Sequence, residues 1–263
     1  MFVKSSGRTR QDRRWGAISS ADQKLKREIK IRNSIKRRLA AGFAKTRLRL
    51  VLFLLVFIVA AEFIVAALLQ NRGTFTITTP RGEMINYGFV LSETREFKYY
   101  SHELQFKPVA DMWNTTQDWL PANLDEIDGE HNAPDGTYLA YTFYTKNSGD
   151  EAFNYIGGID ITDKHLNVDE AMRLRLYIDG TPTVYARRDS LGAAVEGTVP
   201  FNSRINILSL PSRIMPPGDI HKYTVVVWLE GSDPECVNDI LGGFIKMIFS
   251  FRVIPLPSER HGV

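Results

Sequence analysis

The sequence predicts an all-β outer domain, an immunoglobulin-like or jelly-roll antiparallel sandwich, preceded by a basic amphipathic helix and one transmembrane helix. Three observations carry that expectation. Residues 1–49 hold 16 Lys/Arg against 3 Asp/Glu, a net of +13, while the rest of the 263-residue chain sets 17 basic against 27 acidic residues, a net of −10. Between these halves lies an apolar run, 50–69, of 20 residues with one charge. Beyond the run the hydrophobic period falls from helical to alternating. The expected organisation is a basic cytoplasmic arm (1–49), a transmembrane helix (50–69), an irregular and partly β lead-in (70–137), a β-sandwich core (138–254) and a tail (255–263). With 19 Gly, 12 Pro and one Cys, the chain is not collagen-like, low-complexity or a disulfide scaffold.

In the arm, Leu25, Ile29, Ile31, Ile35, Leu39 and Phe43 fall on one arc at about 100° per residue, with Lys26, Arg27, Lys30, Arg37 and Arg38 mainly opposite. Lys24, Arg32 and Lys36 intrude on the apolar arc, but their stems can snorkel. Such a helix suits the surface of an anionic inner leaflet, so anionic lipids are the expected partners of this segment. A cytosolic protein partner fits the same face. Nucleic acid is not expected, because Phe2, Trp15 and Phe43 are the arm's only aromatics and no recognition pattern surrounds them.

The run LVLFLLVFIVAAEFIVAALL is long enough, at about 1.5 Å per residue, to cross a hydrocarbon core of about 30 Å as a helix. Lys45, Arg47 and Arg49 precede it and only Arg72 and Arg81 follow closely, which places the amino terminus in the cytoplasm and the chain from Asn71 outside the plasma membrane. Glu62 is the run's single charge and lies in its outer half, within reach of water. Val59-Ala60-Ala61 has the small-residue spacing of a signal-peptidase site, so the alternative is a secreted product cut near Ala61. The run's continuation for eight residues beyond Ala61 and an arm far longer than a signal-peptide n-region favour the uncleaved anchor.

Strands are expected at 138–146, 154–162, 172–178, 183–186, 205–210, 223–229 and 244–253, all rich in β-branched and aromatic residues and bounded by turn residues. Asp179-Gly180 reads as a hairpin turn. Seven strands in about 120 residues, with no long helix between them, point to a sandwich. Phe75–Thr79 and Ile85–Leu91 are candidates for two more strands. Residues 111–136 lack a period and read as an excursion that crosses the surface or covers one sheet. Its Asp125, Asp128, Glu130 and Asp135 do not follow calcium-loop spacing and read as a solvated acidic loop, while Asn114-Thr115-Thr116 is a formal glycosylation sequon.

The stretch from Trp228 through Glu230, Gly231, Asp233 and Cys236 to Gly242 and Gly243 is the most distinctive. Ser232, Pro234 and Glu235 fit a capping box, which predicts a short helix between the last two strands. The lone Cys236 lacks the His and Cys companions of a zinc site and reads as a small buried hydrophobe. This stretch, with KYTVVVWLEG before it and GGFIKMIFSF after it, resembles the carboxyl-terminal end of Gram-positive surface and biofilm-matrix proteins of the camelysin and TasA type. YTFYTKNSGDEAFNY and PGDIHKYTV extend the resemblance more loosely, over about 138–253. It implies a jelly-roll or immunoglobulin-like extracellular domain, in some members polymerised into fibres by strand exchange, and it raises metalloprotease activity as an alternative.

The five histidines, His102, His131, His165, His221 and His261, show no ligand spacing, and no HExxH, GxSxG or phosphate-loop pattern occurs. No catalytic, metal or cofactor site is therefore expected. The reading is a single-pass surface protein whose acidic sandwich serves as a structural or protein-interaction module, self-association included. The alternatives are a secreted matrix subunit and a surface metallohydrolase. Unpaired sheet edges are the expected route of any assembly.

Overall fold

In the computed structural model the described residues are 25, 27–34, 36, 49–65, 73–107 and 112–256. They fall into two compact units that divide between Leu68 and Leu69. In the first unit residues 27–34 and 49–65 are helical, and Arg27 and Lys30 are exposed beside equally exposed Leu25, Ile29 and Ile31. Lys26, Arg37 and Arg38 lie outside the described residues, as does the end of the apolar run, 66–69. Among the described residues no helix is long and apolar enough to cross a membrane.

The second unit is a sandwich of two sheets. Its elements are β1 (Thr74–Thr78), α1 (Arg81–Tyr87), β2 (Phe89–Ser92), β3 (Glu103–Gln105), β4 (Asn114–Thr115), β5 (Gly129–Glu130), β6 (Tyr138–Asn147), β7 (Phe153–His165), β8 (Met172–Ile178), β9 (Thr181–Ala186), β10 (Val199–Pro200), β11 (Asn206–Ser209), β12 (Arg213–Met215), β13 (Ile220–Glu230) and β14 (Phe244–Pro255). One sheet runs β11-β7-β14-β1-β3, with β12 also on β7. The other runs β10-β9-β8-β13-β6-β2, with β4 on β13 and β5 on β6. The expected all-β sandwich is thus the architecture of this unit. Asp179 (φ 49°) and Gly180 (φ 86°) form the β8–β9 turn, both residues in the left-handed conformation that matches strand twist.

Alternation places the core. Tyr223, Val225 and Val227 of β13, Tyr141 and Phe143 of β6, and Met172, Leu174 and Leu176 of β8 face Tyr155, Ile159, Phe249 and Phe251 of the opposing sheet. The rings of Phe249 and Phe251 stack at 4.4 Å between centroids, and Phe143 meets Phe249 edge-on. The other face of β13 is buried too. Val226 and Trp228 lie under Leu120 and Leu124 of the excursion, which therefore covers one sheet.

Several local expectations are corrected. The segment 85–91 is not one strand, because Gly88 (φ 71°) caps α1 with its N–H on the Met84 carbonyl before β2 begins. Glu83 ties that short helix to the sheet by accepting from the Thr79 hydroxyl (3.0 Å) and the Val253 N–H (2.9 Å). Within 73–107, β1 runs parallel to β14 inside one sheet and β2 pairs with β6 in the other. The helix expected from Ser232 and Glu235 is replaced by turns and a 3-10 turn at Asn238–Ile240. Ser232 directs its hydroxyl to the Glu230 carboxylate (2.7 Å) instead of capping a helix. At one sheet edge the outer side of Thr181–Val184 has no strand partner among the described residues and carries Pro182, which lacks a donor.

Candidate functional site

The distinctive residues of the β13–β14 connection converge on one end of the sandwich, each held by a separate contact. Trp228 is fully buried and donates from Nε1 to Glu230 (2.9 Å), with the Arg175 guanidinium 5.4 Å above its ring. Glu230 also accepts from the Gln117 N–H (3.1 Å) and from Ser232. Burial works against its charge, yet the donors of Trp228, Ser232 and Gln117 outweigh it and hold the carboxyl below the usual range. Gly231 donates its N–H to the Thr115 carbonyl (2.7 Å), where β4 lies parallel to the end of β13.

Asp233 forms an ion pair with Arg173 of β8, both side chains almost wholly buried (4% and 5% exposed). Burial raises the Asp233 carboxyl, but hydrogen bonding with Glu235 and the Arg173 charge bring it below its ordinary value. The next turn brings Cys236 beside Asn114, whose amide donates to the sulfur at 3.7 Å. Gly242 adopts φ 79° in open space. Gly243 lies where an added Cβ would stand 2.2 Å from Val168 Cγ2 and within 3 Å of the His165 and Ile240 carbonyl oxygens. Glycine there lets the connection close against the 165–168 turn.

What this connection encloses is an apolar cleft of about 390 Å³. Phe75, Ile245 and Met247 of one sheet face Leu139, Met172, Val227 and Leu229 of the other across it, and Cys236, Gly242 and Gly243 line its upper wall. Trp113, Val237 and Leu241 line it yet are 50–70% exposed, which makes them its mouth. Lys107 stands at the same rim, 4.0 Å from Glu130. The arrangement suits apolar burial.

At the opposite end is a buried polar chain. The Tyr155 hydroxyl bonds to Tyr223 (2.6 Å) and to His221 Nδ1; Tyr223 accepts from Arg213 (3.4 Å), and Arg213 pairs with Asp179 (2.7 Å). His221 Nε2 is 3.3 Å from Asp219. A neutral His221 with its proton on Nε2 satisfies every link, since Nδ1 then accepts from Tyr155. Burial, reinforced by the Arg213 charge, lowers the His221 pKa from 6.5.

The structure thus places Cys236, Gly242 and Gly243 in the cleft lining, puts Trp228 under the excursion with Glu230 bonded to it, ties Gly231 to Thr115 and Asp233 to Arg173, and leaves Arg27 and Lys30 in the other unit. It does not gather the acids of the excursion. Asp128 accepts from the Tyr144 hydroxyl (2.6 Å), Glu130 from Asn132 (2.6 Å), and Asp135 from Thr137 (2.7 Å). Among the described residues no three His, Cys, Asp or Glu side chains share a site. Sequence reasoning does not reach the cleft floor, Leu139, Met172 and Val227, which looks in sequence like any buried strand position. The exposed Trp113 carries the one signal for it, a large aromatic inside a polar excursion.

No protein-family model matches the chain, and no curated protein matches it. Among solved structures the N-terminal domain of PorA aligns at 8% identity with a TM-score of 0.23, covering 62% of this chain and 96% of that one. At that level neither fold nor function transfers.

Proposed function

We propose that the chain is a single-pass membrane protein with its amino terminus in the cytoplasm and its acidic β-sandwich outside, where the sandwich acts as a structural or protein-interaction module. The observation that carries this reading is the apolar helical segment. From Leu50 to Val65 its large side chains are exposed on every side, Phe53 and Phe63 at 73% and Phe57 at 71%. A helix apolar all round requires an apolar solvent, and a bilayer supplies one. The basic arm before it gives orientation and a second attachment to anionic lipid. The resemblance of 228–243 to camelysin and TasA-type proteins supports an extracellular setting.

Alkaline washing of membranes and protease treatment of intact, wall-stripped cells test the reading together. The full-length chain is expected to stay in the washed pellet, and protease is expected to remove the sandwich but leave the arm. Release by alkali contradicts it.

Val59-Ala60-Ala61 favours a second reading, a secreted matrix subunit released near Ala61. In that setting the outer edge of β9 at Thr181–Val184 is a site for strand addition. Assembly that persists when proline replaces Val184 would remove that edge from consideration.

A further inference from the structure

We propose that the cleft at the β13–β14 end takes one acyl chain of a bilayer phospholipid. The inference rests on the membrane-anchored reading above and names the ligand class of that module. Three features of the cleft select this occupant. Its floor, formed by Leu139, Met172 and Val227 between the two sheets, is apolar and offers nothing to pair with a peptide backbone. Met112, Met172 and Met247 contribute three flexible thioethers to the lining, side chains that adapt to a ligand without fixed shape. At the mouth, exposed Trp113 and Leu241 stand beside Lys107, the combination of aromatic, aliphatic and cationic side chains suited to the junction of acyl chains and phosphate headgroups.

Covalent connection selects the source. Gly73, which lines the cleft, follows the last apolar residue, Leu69, by four positions, and four residues reach at most about 14 Å even when fully extended. Three residues of chain, 70–72, thus separate the cleft wall from the end of the apolar run. A lipid that lifts one chain into the cleft keeps the rest of itself in the bilayer, whereas a free fatty acid or a peptide must be captured from dilute solution.

The test uses the full chain reconstituted into vesicles of phosphatidylethanolamine and phosphatidylglycerol doped with a phospholipid that carries a photoreactive diazirine in its acyl chain. After irradiation, label is expected on the peptides that contain Leu139, Met172 and Val227, and also on 50–69. Label confined to 50–69 overturns the inference and leaves the anchor standing. Floor label without label on 50–69 supports the cleft and overturns the anchor, and label on neither overturns both. Leu139→Trp, which fills the cleft from β6, is expected to lose the floor label while keeping that on 50–69. Should that variant not fold, Met172→Phe reads the same loss from β8. A floor occupied by a segment of a second copy leaves it unlabelled and counts against the proposal.

Discussion

Gly243 shows how one missing side chain fixes a connection. With Val168 Cγ2 and two carbonyl oxygens within 3 Å of any added Cβ, Gly243→Ala forces the 165–168 turn and the start of β14 apart. Overpacking of this kind costs about 1–3 kcal/mol, or about 2–4 °C in Tm per kcal/mol for a domain of this size, and thermal unfolding of the variant measures it. Asp233→Ala is the harsher change, because it leaves the Arg173 guanidinium buried without its partner. Loss of one member of a buried pair costs about 3–5 kcal/mol, and denaturant unfolding is expected to show it. His221 sets a pH dependence through Tyr155, Tyr223, Arg213, Asp179 and Asp219 around it. Its folded pKa lies below 6.5, so the unfolded chain takes up the proton first. The stability it contributes is full above about pH 6.5 and is lost as pH falls towards the lowered folded value. Tm measured across that window is expected to fall, with a smaller fall in His221→Gln; equal falls contradict the assignment. The glycines and acids of the 228–243 stretch stand out in the sequence by their spacing alone. Their partners do not, because Arg173 lies 60 residues from Asp233 and meets it only when β8 pairs with β13.

Strands are the legible elements. Alternation marks β8, β-branched and aromatic content marks β6 and β13, which are buried on both faces, and the Asp-Gly turn between β8 and β9 is readable from two residues. Where local signals compete, pattern reading fails. The apolar residues of 85–91 conceal a helix end, since Gly88 stops α1 only because its φ is positive and the chain must pass against Gly149. Ser232 and Glu235 carry a capping pattern, yet the Glu230 carboxylate and the Arg173 charge claim Ser232 and Asp233 first. The excursion is opaque because it packs by single anchors. Leu124, 1% exposed, lies against Ala140, Val226 and Trp228. Leu124→Ala is expected to cost about 2–3 kcal/mol, the lower part of the range for such truncations, because the site lies under a loop and can partly collapse. A lower urea midpoint with an unchanged slope is the expected result; a reduced slope would mean that the excursion had detached instead.

For the molecule as a whole, the charge division, the apolar run and the β period are all legible in the amino-acid sequence, since each is a property of contiguous residues. The cleft is not, because its lining reaches from Gly73 to Met247 and exists only once β1 lies parallel to β14 and faces β13. The proposed function couples a basic, apolar-helical unit to an acidic sandwich in one chain. The most direct test is the intact mass and amino-terminal sequence of the mature protein from membrane and medium fractions. The account predicts a membrane-bound chain that still carries the basic arm ahead of the apolar run. A chain that begins near Glu62 and is found in the medium would contradict it, making the arm and the apolar run a discarded export signal.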